Sequence, residues 1–274
     1  MSWKEEWSRA HQLSPLKVTP ANESKWERYW SVCAEQYGQD VEAETPLYHA
    51  VIDHLVQEGR LQPTDTVLDI GCGPGTYTIP IAGHSRRVVG LDSASGMIDE
   101  LIRRASAQRL TNVKGVVGRW EDLRTGDFDL VLSALSPAVS DAENLMRMGS
   151  VTKRDCCYIT AALGEEMKTR NELWEKVVGE FRPSSAYDVK YPLNVLMENG
   201  QRPDLKFISA SFDTAVDANA AISNFQTYFE IFTEMDDVKR TLIKEFILDR
   251  SHDGIFHRKG RKVLAVMTWS PETT

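Results

Sequence analysis

Thr66-Val67-Leu68-Asp69-Ile70-Gly71-Cys72-Gly73-Pro74-Gly75-Thr76 divides into two halves of different character. Val67, Leu68 and Ile70 make a short apolar run suited to a strand buried on both faces. Gly71, Gly73 and Gly75 then open a tight turn, and Thr76 to Ala82 reads as a helix. Glycines let the backbone take special dihedrals and approach a ligand closely. The helix aims its first N–H groups into the same crevice, and Pro80 is tolerated only in its first turn. Besides a plain turn, one ligand class that uses such a unit is the dinucleotides, through G-x-G-x-x-G with a pyrophosphate at the helix N-terminus. Here the third glycine comes one place early, and Asp69 stands directly before the turn. A carboxylate there repels a pyrophosphate and attracts an ammonium.

The string Asp69-Ile70-Gly71-Cys72-Gly73-Pro74-Gly75 resembles motif I of the class I S-adenosylmethionine (SAM) methyltransferases. SAM carries an amino group and a sulfonium but no phosphate, so the charge logic agrees. The resemblance implies SAM as cofactor, S-adenosylhomocysteine as product, and cofactor contacts from Asp69, Gly71, Cys72, Gly73, Pro74 and Thr76. Val88-Val89-Gly90-Leu91-Asp92 is a second buried strand ending in an acid. Asp92 lies about 20 residues beyond Asp69, where nucleoside-binding folds place a carboxylate for ribose hydroxyls. Ser93 is a candidate cap for the next helix, which carries Ile98, Leu101, Ile102 and Ala105 on one face. Asp92, Ser93 and Met97 keep most of the family's Asp-x-Ser-x-x-Met pattern, with Ala94 at the Ser position.

Val113 to Val117 reads as a third strand, followed by Gly118-Arg119-Trp120-Glu121-Asp122-Leu123, the turn that flanks adenine in the family. The usual acid after the glycine is Arg119 here, which shifts the adenine contact to Glu121 or to the backbone near Trp120, whose ring offers a flat apolar face. Arg119 and Asp122 read as solvent-facing. Phe128 to Pro137 is a fourth strand running into a loop. The resemblance sets its end, with Ser133 and Leu135, beside the transferred methyl group. The Asn/Asp-Pro-Pro-aromatic string of DNA and protein amide methyltransferases is replaced by Leu135-Ser136-Pro137-Ala138, which disfavours that chemistry. Upstream, Trp26, Trp30 and Cys33 share a helical face. Trp30 to Tyr37 is similar to the leader of ubiquinone/menaquinone-type small-molecule methyltransferases, which implies a flap carrying Trp30 and Tyr37 over the cofactor.

The chain has 274 residues, 42% hydrophobic and 26% charged, with a net charge of -8. That acidity argues against a nucleic-acid backbone as the main partner. No run approaches the length of a membrane helix, and the charged, aromatic N-terminus is no signal peptide. Cys33, Cys72, Cys156 and Cys157 form neither a disulfide framework nor a zinc spacing, so the expected location is cytoplasmic. Oligomeric state is left open.

The rest continues the alternation. Pro46 to Gly59 predicts a helix with Pro in its first turn and Gly past its end. Asp141 to Met148 predicts another helix, and Cys156 to Leu163 a fifth strand. An insertion at about 164–204 follows, with an amphipathic helix around Leu173, Trp174, Val177 and Val178 and a Pro- and Asn-containing stretch from Tyr187 to Gly200. Leu205 to Phe212 is strand six, Ala218 to Asp249 one or two helices, and Val263 to Trp269 strand seven. His252, Asp253 and His257 are too few to argue a metal.

The expected fold is α/β, a doubly wound seven-stranded sheet, mostly parallel with an antiparallel last strand. One class I methyltransferase domain spans 1–274, with an N-terminal helical flap at about 1–40 and the insertion after strand five as cap. The expected function is SAM-dependent methyl transfer to a small molecule. Release of a neutral thioether needs no acid, so alignment and desolvation can carry the reaction. A substrate hydroxyl would need a general base, and the cap offers Tyr, His and Glu candidates without choosing among them. The rivals are a nicotinamide dehydrogenase, opposed by Asp69 and the early third glycine, a SAM-binding regulatory module without turnover, and an RNA or protein methyltransferase.

Overall fold

The structure is a computed structural model that describes residues 2–123, 126–164, 168–179 and 186–271. Met1 of the expected flap, and residues 165–167 and 180–185 of the expected cap insertion, lie outside the described residues.

The strands are β1 (Thr66–Ile70), β2 (Arg87–Asp92), β3 (Val113–Val117), β4 (Phe128–Ala134), β5 (Thr152–Gly164), β6 (Asp204–Asp217), β7 (Ser251–His252) and β8 (Ile255–Trp269). They form one sheet in the order β3-β2-β1-β4-β5-β8-β6, with β7 paired to β8. β1 to β5 run parallel, and β8 runs antiparallel to both β5 and β6. The expected mostly parallel sheet with an antiparallel last strand is therefore present, with the two-residue β7 as an addition. The strand order reverses between β1 and β4, and a crevice outside the C-terminal ends of strands at such a reversal is where open α/β sheets bind ligands.

The helices are α1 (Trp3–Gln12), α2 (Glu23–Ala43), α3 (Thr45–Gln57), α4 (Thr78–Ala82), α5 (Ser95–Ala107), α6 (Ala142–Arg147), α7 (Lys168–Val177), α8 (Lys190–Glu198), α9 (Ala218–Phe229) and α10 (Asp237–Leu248). Because β1 is buried on both faces, alternate residues feed two cores. Leu68 and Ile70 join Trp7, Leu145, Val195 and Leu196 from α1, α6 and α8. Val67 joins Leu47, Val51, Leu55 and Ile81 from α3 and α4. A third core, built by α7, α9 and α10 with Trp26 and Tyr29 of α2 packed against it, forms the cap.

Three elements differ from the sequence reading. Tyr187 to Gly200 contains α8, where Pro192 falls in the first turn and costs no intrahelical bond, and Gly200 ends the helix at φ 80°. β6 and β8 are much longer than the apolar runs that announced them. Their distal halves pair from Phe212↔Gly260 to Asp217↔Ile255, and β6 there buries only alternate residues, so Asp213 and Asp217 on the open face and Thr214 on the buried one dilute the apolar signal. Asp253 and Gly254 both take positive φ, 50° and 75°, between β7 and β8. That is the two-residue Asp-Gly hairpin turn, and it accounts for the local clustering of His252 and Asp253.

Candidate functional site

The turn after β1 is held by backbone. Gly71 and Cys72 both donate to the Leu91 carbonyl of β2, at 2.7 and 3.1 Å. Gly71, Gly73 and Gly75 all have positive φ, a region that L side chains enter only at a cost. The surroundings of the three glycines differ. A Cβ at Gly71 would overlap Ser136 Oγ, and one at Gly75 would press on Leu101. A Cβ at Gly73 would meet nothing nearer than Met97 Sδ at 4.0 Å. The protein itself therefore leaves space over Gly73. From below, Arg104 of α5 donates to the Pro74 carbonyl at 2.9 Å.

Asp92 sits at the end of β2 beside this space. Its Oδ2 accepts from Gly73 N–H and its Oδ1 from Ala94 N–H, both at 2.9 Å. Each oxygen keeps one further acceptor site, which suits a vicinal diol. Burial raises the Asp92 pKa, and the N–H groups of Ala94, Gly73 and Ser93 oppose that rise. Ser93 itself is exposed and does not cap α5. The N-cap residue is Ala94, which has no side-chain acceptor, and Asp92 accepts from the Ala94 N–H just ahead of the helix.

Asp69 is buried and accepts from Thr78 Oγ1 at 2.6 Å. Burial pushes its pKa up to about 7; the Thr78 hydroxyl opposes the rise, and the Asp92 charge adds to it. Its charge reaches the crevice as a field from beneath the turn rather than as a surface contact. Thr78 was not singled out from sequence, although Thr at the first position of a helix facing a buried acid is the available cue. Thr76 is half-buried at the turn, and Pro74 is buried under it.

Several expected contacts are redirected. The Cys72 side chain turns into the core, where a Cβ on Gly90 would lie 2.8 Å from its sulfur, so only its backbone faces the turn. Ser133 is fully buried, its hydroxyl donating to the Ile70 carbonyl at 3.2 Å to tie β4 to β1. Trp120 is a core residue with the Arg147 guanidinium 4.3 Å over its ring, so the flat face expected for adenine is already covered. Glu121 is exposed, and Arg119 pairs with Glu23 of α2. Leu135 directly precedes Ser136, the residue packed against Gly71. It is partly exposed, takes φ 52°, and donates to the Ile159 carbonyl of β5.

The N-terminal segment is packed onto this crevice. α2 crosses α5 so closely that a Cβ on Gly96 would lie 2.6 Å from the Ser31 carbonyl. Cys33 and Ala34 bury Met97 and Ala94, with Trp30 and Tyr37 packed alongside, their rings 5.8 Å apart and edge-on. The C-terminal end of α2 is tethered through Glu44, which pairs with Lys262 of β8 at 2.9 Å in a nearly buried ion pair. Glycine turn, Asp92, Met97, Trp30, Tyr37 and Leu135 are thus gathered about one crevice.

Residues 67–154 match the family model described as a methyltransferase domain. This is a class I methyltransferase fold. An uncharacterized protein of Haemophilus influenzae is 26% identical over 188 residues, 65% of this chain and 65% of its own length. A 23S rRNA (uracil(1939)-C(5))-methyltransferase of Legionella pneumophila is 29% identical over 77 residues, 28% of this chain and 17% of that protein. This chain thus spans less than two thirds of the length of either relative. The magnesium protoporphyrin IX methyltransferase of Synechocystis, solved with bound S-adenosylhomocysteine, superposes with a TM-score of 0.53 at 15% identity, over 85% of this chain and 86% of that one. The match and the superposition agree on the fold, and the donor set around Gly73 fits SAM: acceptors for a diol, open space over a glycine, a buried carboxylate and, among the described residues, no cationic clamp for a pyrophosphate.

Proposed function

We propose that the protein transfers a methyl group from SAM to a small-molecule acceptor. The observation that carries the reading is the pairing of open space over Gly73 with Asp92 held by two N–H groups at its edge. Bound there, SAM supplies an electrophilic methyl group on a sulfonium. Asp92 would accept from the ribose hydroxyls, and the Gly71–Gly75 turn would lie against the amino-acid portion. The Asp69 charge would favour the ammonium from below. Trp30 and Tyr37 on α2 would close the crevice and exclude water from the reacting centre. Met97 and Leu135 would border the cofactor, and Glu121 remains the acid available near the adenine end.

We extend the reading to a ubiquinone/menaquinone-type member with an N-terminal lid at about 1–40 and a cap at about 164–204, supported by the Trp30–Tyr37 segment. Four free, buried cysteines support a reducing, cytoplasmic setting. Among the described residues no helix is long and apolar enough to cross a membrane.

A second reading, methylation of RNA, is favoured by the partial match to the Legionella rRNA methyltransferase; the net charge of -8 weighs against it. Incubation of the protein with methyl-tritiated SAM and a fractionated cell extract separates the two. Label in the small-molecule fraction is expected. Label confined to RNA or protein would replace the small-molecule reading, and no transfer at all with SAM bound would reduce the protein to a binding module.

A further inference from the structure

The cap contains a cluster of polar atoms that the cofactor crevice does not use. Trp26 and Tyr29 of α2 meet Tyr228 of α9 edge-on, with ring centroids 6.1 and 5.5 Å apart. Arg170 of α7 enters the same cluster, its Cζ 5.8 Å from the Tyr228 ring centroid. Tyr228 is only 5% exposed. The indole Nε1 of Trp26 and the Nε of Arg170 are buried without a hydrogen-bond partner, and the buried Tyr228 hydroxyl has the Arg170 guanidinium beside it but no hydrogen bond of good geometry. The next residue, Asn171, contributes one unpartnered acceptor, its Oδ1. Among the described residues no carboxylate pairs with Arg170.

A buried donor without an acceptor is costly, and so is a guanidinium nitrogen held against an aromatic ring without an acceptor. Native interiors rarely gather such groups in one place. A ligand bearing an anionic group would satisfy the indole N–H, the guanidinium and the phenol together, since charge-assisted bonds to Arg are among the strong ones. The same rings offer flat faces for a conjugated ring.

The cluster also adjoins the cofactor crevice. Trp26 stacks on Trp30 at 6.2 Å with 18° between the planes. Trp30 in turn packs on the group that buries Met97, whose sulfur borders the space over Gly73. We infer that this cap cluster is the anchoring subsite for the methyl acceptor, and that the acceptor is a planar conjugated molecule carrying a carboxylate or phosphate. The anionic end lies at Arg170, Trp26 and Tyr228, and the reactive end is directed along Trp30 toward the crevice. This inference rests on the methyltransferase reading.

The test is calorimetric titration of the full chain with ring-matched compounds, run with and without S-adenosylhomocysteine: 4-hydroxybenzoate, phenyl phosphate, 4-hydroxybenzamide and phenol. The carboxylate or the phosphate should bind about tenfold or more tighter than the uncharged compounds, the worth of one charge-assisted hydrogen bond. The two anions tell the two sources of charge apart. Arg170→Gln should erase that preference while leaving the affinity for S-adenosylhomocysteine unchanged. Arg170→Lys, which keeps the charge, should retain part of it, so a folding defect is told apart from loss of the subsite. Binding should also quench tryptophan fluorescence in the wild type and much less in Trp26→Phe. Equal binding of charged and neutral compounds, no binding by any of the four, or a preference that survives Arg170→Gln would overturn the inference. Failure of the wild type to bind S-adenosylhomocysteine would instead strike the methyltransferase reading, with the anion preference still readable from the titrations without it.

Discussion

The glycine turn and the cap present opposite kinds of polar chemistry. In the turn, polar groups are largely matched: Leu91 takes two N–H groups, Asp92 takes two, Arg104 holds the Pro74 carbonyl and Thr78 satisfies Asp69. What the turn leaves over is space and one acceptor site on each Asp92 oxygen. In the cap, rings pack closely while Trp26, Tyr228 and Arg170 keep unmatched polar atoms. The difference teaches that the first site is shaped by backbone and suits a ligand common to a whole fold. The second is shaped by side chains and suits a ligand particular to this chain.

The harshest way to break the turn without touching the cap is Gly73→Val. The protein offers no clash at that Cβ, so the variant should fold at a cost of roughly 1–2 kcal/mol for the left-handed backbone. SAM affinity by calorimetry should fall on the order of a hundredfold or more, equivalent to about 3 kcal/mol, because the side chain fills the ligand's space. Normal SAM binding by a soluble Gly73→Val protein would remove the turn from the cofactor site.

Asp92→Ala comes next. It removes the diol acceptor and also frees the N–H groups of Gly73 and Ala94, so affinity should drop at least about tenfold and the melting temperature should fall as well. An unchanged dissociation constant would exclude Asp92 from the site.

Gly96→Ala sharpens the comparison where the two regions join. The added methyl would press on the Ser31 backbone and lift α2 from α5. Amide exchange in residues 23–43 should accelerate, and SAM affinity should weaken by a few-fold, roughly 1 kcal/mol. If SAM slows exchange there in the wild type, α2 is a lid; exchange indifferent to SAM would make it packing alone.

The smallest effect concerns Asp69. Its pKa is raised in the folded state, to about 7, so the folded protein holds a proton that the unfolded chain has already released. The sign follows: stability is greatest below the ordinary carboxylate range and falls as pH rises toward 7. Asp69→Asn should flatten that slope, measured as melting temperature between pH 4.5 and 8. The wild type's preference for SAM should grow modestly, about two- to three-fold, between pH 6 and 8 as the carboxylate ionises. A wild-type melting curve with no more slope than the variant's would place the titration elsewhere.

The elements that depend on neighbours in the chain were readable in it. β1, β2, β4 and the helices at Pro46–Gly59 and Asp141–Met148 follow from apolar runs, period and caps. The positive φ of Gly71, Gly73 and Gly75 follows from residue type. Asp92 was legible as an acid ending a strand. Packing decided what could not be read. Ser133 and Cys72 have side chains of the right chemistry that point into the core, because a strand end and a turn leave their direction to the neighbours they meet. Trp120 lost its open face to Arg147, which lies 27 residues away. The distal ribbon of β6 and β8 was masked because its open face is polar, and its register depends on a partner strand across the chain.

By itself, then, the sequence determined the parallel sheet, the glycine turn and the acid beside it, since each is encoded within a few residues by backbone preference and burial period. Only the tertiary structure decided that Gly73 has room above it while Gly71 does not, and that Trp26, Arg170 and Tyr228 meet. Those facts depend on which surfaces α2, α7 and α9 press together, and residues far apart in the chain carry no local signal of their future contact.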